Sequence, residues 1–162
     1  MLNEIDKKAL LLKGEDCFIL AECFFERAFK RPTYLFNQYG RSAGTAHLQR
    51  NLIKFNAILF AQNRDVFIEQ VVAHEVAHLI VYQQYGNVRP HGKQWQHVMQ
   101  IVFNRPAHTT HSLDTKDVIG QQFAYQCQCT RYQLTIRRHN KILKGAKYVC
   151  KKCQKVLKIS SQ

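Results

Sequence analysis

The hydrophobic pattern of the first third of the chain changes from helical to strand-like at one proline. Apolar residues recur at helical spacing from residue 1 to residue 29, and Gly14 is a candidate break within this stretch. Pro32 ends the helical pattern, because the residue before a proline avoids helical backbone angles. Alternating apolar residues then predict three short strands, at residues 33–36, 42–48 and 51–56. These strands predict a small, mostly antiparallel sheet, whose edge can bind an extended peptide.

Two further helices follow the predicted strands. An apolar run extends from Val66 to Tyr85, and Gly86 is suited to a left-handed helix end. Pro90 begins the next helical pattern, which reaches Phe103. Helices packed beside a small sheet indicate an α+β fold.

The last quarter of the chain has a strand pattern of its own. The stretch from Ala107 to Gly120 is polar and loop-like, and alternating segments follow it. They predict four short strands, at residues 123–125, 133–137, 147–149 and 156–159. The sequence therefore predicts two domains, residues 1–118 and residues 119–162.

Charge distinguishes the two predicted domains. The chain carries 24 Lys or Arg residues against 11 Asp or Glu residues, for a formal net charge of +13. Ten of the basic residues, and none of the acidic ones, lie between Phe123 and Gln162. This imbalance predicts a polyanionic partner for the second domain, with nucleic acid as the first candidate and an anionic membrane surface as the second.

The chain has neither a signal-peptide pattern nor an apolar run long enough to span a membrane. Residues 1–8 lack an apolar core and a cleavage site. We therefore expect a cytoplasmic protein whose six cysteines are reduced or metal-bound. Cys17 and Cys23 stand alone and are expected to pack as small apolar side chains.

A zinc-binding pattern lies within the apolar run of the second predicted helix. His74 and His78 are four residues apart, so a helix places both imidazoles on one face, where they can bind one zinc ion. Glu75 lies beside them and is the candidate general base that activates a zinc-bound water. The pattern predicts metal-assisted hydrolysis.

A catalytic zinc usually has a third protein ligand. No Asp or Glu occurs between Val76 and Leu113, which excludes a nearby carboxylate ligand. The close-spaced third histidine of one known arrangement is excluded as well, because Gln84 occupies its position. His91 is therefore the first candidate for the third ligand, and His97 is the second.

A second zinc pattern lies in the basic domain. The pairs Cys127-x-Cys129 and Cys150-x-x-Cys153 are separated by 20 residues, a spacing that fits a structural tetrahedral zinc in a zinc ribbon. The first pair is shorter than the usual C-x-x-C, so His139 is an alternative to Cys127 or Cys129 as a ligand. A segment of about 40 residues can hardly build a core without such a metal.

Basic residues surround the cysteine pairs and are interleaved with tyrosines. Lysine and arginine bind phosphates, and aromatic rings stack on unpaired bases. We therefore expect nucleic-acid binding that tolerates many sequences. The candidate contact residues are Arg131, Arg137, Arg138, Lys141, Lys144 and Lys147.

Taken together, the motifs resemble those of one known family. They are H-E-V-A-H at residues 74–78, Pro90-His91-Gly92 with Trp95 and His97 after it, Y-Q-C-Q-C at residues 125–129 and Y-V-C-K-K-C at residues 148–153. In this combination they resemble the SprT family of zinc metalloproteases, over essentially the whole chain.

The resemblance carries its own implications. It implies that His74, His78 and His91 bind zinc and that Glu75 is the catalytic base. It also implies that DNA is the polyanion, and that the chain is related to Spartan-type proteases, which degrade proteins crosslinked to DNA. The expected architecture is α+β: a small zincin-like metalloprotease domain with helices packed on a short sheet, followed by a C-terminal zinc ribbon.

The leading expectation is a zinc-dependent endopeptidase, a monomer with one catalytic and one structural zinc, that acts on DNA-associated or DNA-crosslinked proteins. DNA, including single-stranded regions, and the proteins bound to it are the expected partners, with no membrane involved and with location at the nucleoid. One alternative is a transcription-associated nucleic-acid-binding protein with little or no peptidase activity. Another is a peptidase whose basic tail binds acidic proteins or a membrane. An oxyanion donor is also expected, and the candidates are Tyr82, Tyr85, His97, His108 and His111.

Overall fold

The computed structural model describes residues 2–110, 113, 118 and 120–160. The chain divides into two compact units, Met1–Val118 and Ile119–Gln162, called here the first unit and the second unit. Helices and small sheets occur in both units, so the expected α+β class is confirmed.

The first helix, α1, spans Glu4–Phe25 without a break. The side chain of Asn3 accepts a hydrogen bond from the backbone N–H of Asp6 at 2.8 Å, which caps the first turn. The break considered at Gly14 is wrong: this glycine is buried within the helix, and a Cβ there would collide with the hydroxyl of Tyr34. Its small size therefore serves packing rather than a turn.

A three-stranded sheet follows α1. Its strands are β1, Thr33–Leu35; β2, Gly44–His47; and β3, Leu52–Phe55, in the spatial order β1-β3-β2. β2 runs antiparallel to β3, whereas β1 runs parallel to it, so the sheet is mixed. A 3₁₀ turn, Leu48–Arg50, connects β2 with β3. β2 therefore lies at one edge of this sheet.

The remaining helices of the first unit surround a central one. They are α2, Ala57–Gln62; α3, Arg64–Val66; α4, Val72–Tyr85; and α5, Lys93–His97, with π-helical turns at Phe67–Val71 and Val98–Val102. The sequence pattern did not predict α2, which Asn56 caps with its side-chain oxygen. α4 packs against α1, β2 and α5, and most of its residues are buried.

The second unit contains a small antiparallel sheet and one helix. Its elements are β4, Gln122–Gln126; β5, Arg131–Thr135; α6, Ile136–Leu143; and β6, Lys158–Ile159, with the strands in the order β5-β4-β6. The predicted strand at residues 133–137 is wrong at its end, because Ile136 and Arg137 are helical. The helix lets Ile142 pack on the small core of the second unit. A strand continued through these residues would move this apolar side chain away from that core.

Candidate metal centres

Helix α4 presents His74 and His78 on one face. Their Nε2 atoms lie 3.2 Å apart. His74 is buried and His78 is half-buried, because α4 passes between the other elements of the first unit. The helical spacing predicted this placement.

His91 reaches the same point from the segment between α4 and α5. Its Nε2 atom lies 2.9 Å from that of His74 and 3.1 Å from that of His78. His91 has a left-handed backbone with φ of 54°. The next residue, Gly92, passes close to the backbone of Arg89, since a Cβ on Gly92 would lie 2.9 Å from the Arg89 carbonyl oxygen. This tight turn aims the imidazole of His91 at the other two.

The three nitrogen atoms fit a zinc ion. Two nitrogen ligands of one tetrahedral zinc, each about 2.0–2.1 Å from the metal, lie about 3.3 Å apart. Burial lowers the pKa of His78 to about 4 and lowers the pKa of His91, with the charge of His91 adding to the effect on His78. Both rings are therefore neutral at physiological pH, which is the form that binds metals.

Trp95 supports the three histidines, and the sequence reasoning gave it no role in the site. Its ring is buried, with its centroid 4.7 Å from that of His74, 5.6 Å from that of His78 and 4.6 Å from that of His91. Its indole N–H donates to the backbone carbonyl of His74 at 3.3 Å. The sequence did contain a signal for this role, because Trp95 lies four residues after His91, at the start of a predicted helix.

Glu75 directly follows His74 on α4 and faces the edge strand β2. Only 6 % of the residue is exposed. Burial raises the pKa of its carboxyl to about 8, although the backbone N–H of Ala46 donates to it and acts in the opposite direction. Gly44 leaves room for the carboxylate, since a Cβ there would lie 2.7 Å from Glu75 Cγ. The glutamate is thus held between α4 and β2.

A cleft of about 310 Å³ opens beside His74 and Glu75. Its other walls come from the turn before β2 and from the segment after the last helix of the first unit. The lining residues are Arg41, Ser42, Ala43, Gly44, His74, Glu75, Thr109, Thr110 and Leu113. A cleft whose wall holds a buried carboxylate and one histidine of the cluster is suited to hydrolysis of a bound chain.

The other candidates of the first unit lie elsewhere. His97 contacts Phe24 of α1, with ring centroids 5.5 Å apart, and does not join the histidine cluster. Tyr85 packs on Phe25 of the same helix, at 6.2 Å between centroids. Tyr82 lines a small cavity of about 30 Å³ together with His78 and His91, outside the cleft beside Glu75.

The last two oxyanion candidates and the isolated cysteines add no group to the cluster. His108 is exposed and does not line the cleft, and His111 lies outside the described residues. Cys17 is buried, as expected, and its burial raises the pKa of the thiol to about 12. The expectation for Cys23 is wrong: it lies on the outer face of α1 and is exposed.

The second unit brings its four cysteines together. All four Sγ atoms lie within 4.8 Å of one another, with 3.4 Å between Cys127 and Cys129 and 3.6 Å between Cys129 and Cys150. Two sulfur ligands of a tetrahedral zinc lie about 3.8 Å apart. Hydrogen bonds to the sulfur of Cys150, first from the Tyr132 hydroxyl at 3.0 Å, lower the pKa of that thiol to about 5. Cys153 completes the set.

His139, the alternative ligand, is used differently. Its ring stacks on Phe123 with 3.6 Å between centroids, and its Nδ1 lies 3.0 Å from the Tyr125 hydroxyl. It therefore packs on β4 rather than beside the cysteines. All six candidate nucleic-acid contact residues of this unit are exposed, and they are Arg131, Arg137, Arg138, Lys141, Lys144 and Lys147.

Comparison with known proteins agrees with both halves of this description. Residues 14–112 match the SprT-like family, and residues 121–161 match the SprT-like zinc ribbon domain. The chain belongs to the SprT family. The family match confirms the resemblance, and the SprT zinc ribbon with its four-cysteine cluster indicates zinc binding.

Relatives named Protein SprT are similar over most of their length. The one from Vibrio parahaemolyticus is 52 % identical over 88 % of this chain and 87 % of its own. The one from Shewanella oneidensis is 46 % identical, over 91 % and 95 % respectively. The one from Pseudomonas paraeruginosa is 41 % identical, over 91 % and 92 %. No solved structure matches the chain. Among the residues that the structure describes, no helix is long and apolar enough to cross a membrane.

Proposed function

We propose that this SprT-family chain is a zinc-dependent endopeptidase that acts on DNA-associated or DNA-crosslinked proteins. The observation that carries the proposal is the convergence of the imidazoles of His74, His78 and His91 beside the buried carboxylate of Glu75, at the wall of an open cleft. A purely structural metal site needs no adjacent base, so the position of Glu75 favours catalysis.

The edge strand β2 supplies a track for an extended substrate. Asn56 donates its backbone N–H to the carbonyl of Ala43 at 2.8 Å, which fixes the alternation of hydrogen-bonded pairs between β2 and β3. By that alternation, the N–H and C=O groups of Gly44 and Ala46 point away from β3, toward Glu75. An extended peptide lying along this edge would pass directly over the glutamate.

Glu75 would move the protons of the reaction. It takes a proton from the attacking water and returns it to the amine that leaves when the peptide bond breaks. Burial raises the pKa of its carboxyl to about 8, against the smaller opposing effect of the Ala46 N–H, which places it near the range where such transfers are efficient. Zinc bound by the three histidines would supply Lewis acidity toward the peptide carbonyl and would acidify a water molecule.

The second unit would locate the reaction on DNA. Its described residues, 120–160, include no Asp or Glu, and its lysines and arginines are exposed. Such a surface binds phosphates without reading sequence. Binding to DNA raises the local concentration of the cleft near DNA-bound proteins, so location limits the proteins that are cut.

The test uses a protein covalently crosslinked to single-stranded DNA. Wild-type protein loaded with zinc should cleave it, and Glu75→Gln should retain zinc and DNA affinity while it loses cleavage. Glu4→Gln, at a side chain that is 87 % exposed, is the matched control and should cleave as wild type does. Absence of cleavage by the wild type, or equal cleavage by Glu75→Gln, would overturn the proposal.

A nucleic-acid-binding protein without peptidase activity is the second candidate, because the cations of the second unit have no acidic neighbours in its sequence. Reversing the charge of Arg137, Arg138 and Lys141 should weaken DNA binding and reduce the slope of affinity against salt by about one unit for each phosphate contact removed. If that variant loses DNA binding while no protein substrate is cut by the wild type, the second candidate is correct.

A further inference from the structure

Arg41 lies in the wall of the cleft that contains His74 and Glu75. It is the one lysine or arginine among the described residues that line this cleft. The side chain stands in the turn that leads into β2, three positions before Gly44. A positive charge therefore faces the space through which a substrate bound along β2 would pass.

Arg41 has no carboxylate partner among the residues that the structure describes, whereas several other arginines of the first unit do. Arg31 pairs with Glu15 and Glu22, and Arg64 pairs with Asp6. A guanidinium that lines a binding cleft and pairs with no described carboxylate is available for an anionic group of a ligand.

The backbone that carries Arg41 is fixed by a buried side chain. Asn56 is fully buried, and its amide nitrogen donates to the carbonyls of Gly40 at 2.8 Å and Ser42 at 3.3 Å. These residues flank Arg41 on both sides. Gly40 has a φ of 76°, which allows the turn. The turn is thus ordered before any ligand binds, which reduces the entropy cost of using the guanidinium in recognition.

The direction of β2 determines which part of a substrate meets Arg41. Glu75 lies against Gly44 and Ala46, so the bond that is cut lies near these residues. A peptide that pairs antiparallel with β2 runs toward its own C-terminus as it approaches the start of β2. The residues on the C-terminal side of the scissile bond are therefore the ones that approach Arg41.

We propose that Arg41 is a specificity-determining residue, which favours substrates with an acidic side chain on the C-terminal side of the scissile bond. This inference rests on the proposed peptidase function. The charge on Arg41 binds the carboxylate of the substrate and takes no part in the proton transfers. Its effect is therefore a preference between substrates rather than a requirement for cleavage.

The experiment compares quenched fluorescent peptides that differ at one position. The first peptide has Glu on the C-terminal side of the cleaved bond, and the second has Glu on the N-terminal side. The third has Gln, and the fourth has Lys, in place of the Glu on the C-terminal side. For the wild type, kcat/KM should be about fivefold higher for the C-terminal Glu peptide than for its Gln counterpart, as expected of an ion pair with the exposed Arg41. Glu on the N-terminal side should give no such gain.

Arg41→Glu should invert the preference, so that the Lys peptide is cleaved faster than the Glu peptide. Arg50→Glu is the matched control, because Arg50 is exposed, lies in the first unit and does not line the cleft. It changes net charge equally and should leave the ratio between peptides as in the wild type. The comparison of ratios removes any general effect of the substitution on kcat or folding.

Four results would overturn the inference. Equal kcat/KM for the Glu and Gln peptides would leave Arg41 without a role in selection, while cleavage itself would still support the proposed function. An equal shift in Arg50→Glu would assign the effect to net charge. Loss of affinity for DNA in Arg41→Glu with an unchanged peptide preference would make Arg41 a phosphate contact. Cleavage of no peptide and no crosslinked protein would refute the proposed function, and the inference with it.

Discussion

Gly44→Ala tests the close packing of the edge strand on Glu75, the proposed general base. The added Cβ would lie 2.7 Å from Glu75 Cγ, 3.0 Å from Oε1 and 3.1 Å from Cδ. Non-bonded carbon atoms prefer about 3.5–4.0 Å. The carboxylate must therefore move by about 1 Å, because Glu75 is enclosed between α4 and β2 and has little room to relax.

The expected effect on activity is larger than the effect on stability. A displacement of about 1 Å in a reacting group costs about 100-fold in rate. Overpacking lowers the free energy of unfolding by about 1–3 kcal/mol. The replacement of glycine also reduces the conformational freedom of the unfolded chain, which raises the free energy of unfolding by about 0.4–1 kcal/mol. We expect Gly44→Ala to fold and bind zinc while kcat falls by about 100-fold.

The assay measures kcat and KM on the crosslinked protein, zinc content and the free energy of unfolding. Gly120→Ala is the control, because a Cβ at Gly120 meets no atom of the described residues within 4 Å. It should match the wild type in all of these measurements. A kcat for Gly44→Ala within about twofold of the wild type would refute the reasoning, since a base displaced by about 1 Å cannot keep its rate.

Three further substitutions test other parts of the structure. Trp95→Phe removes the donor to the His74 carbonyl and part of the ring volume. The free energy of unfolding should fall by about 1–3 kcal/mol, and the zinc affinity of the first unit, measured by chelator competition, should fall by about tenfold. Unchanged values would contradict the role of Trp95 in supporting the three histidines. Cys153→Ser should remove the ribbon zinc and the protease resistance of the second unit, whereas retention of both would exclude Cys153 as a ligand. Arg31 lowers the pKa of Glu22 to about 2 from an ordinary value of 4.5, so the stabilisation is present above about pH 4.5 and is lost as pH falls toward 2. In Glu22→Gln the midpoint of urea unfolding should therefore fall less steeply between pH 4.5 and pH 2 than in the wild type. An unchanged fall would refute the pairing.

Local sequence spacing predicted the parts of the sites that lie on one element. His74 and His78 face one way because a helix turn separates them, and the tight spacing of Cys150 and Cys153 predicted a ribbon knuckle. The resemblance to the SprT family, which the comparisons confirm, pointed to His91 as the third ligand.

Contacts between distant segments were beyond the sequence pattern. The choice between His91 and His97 depends on a left-handed backbone at His91, which no periodicity indicates. The parallel pairing of β1 with β3 joins segments separated by a whole strand and two turns, so local alternation could not predict it. The roles of Trp95 and Gly44 likewise depend on which elements pack together.

The most direct test of the account is the location of zinc in crystals of the full chain, by anomalous scattering at the zinc edge. We expect one peak among the Nε2 atoms of His74, His78 and His91, with a second among the four ribbon sulfurs. A peak at the ribbon with none at the histidines, in protein that was purified and crystallised with excess zinc, would contradict the central claim that the histidine cluster beside Glu75 is a metal centre.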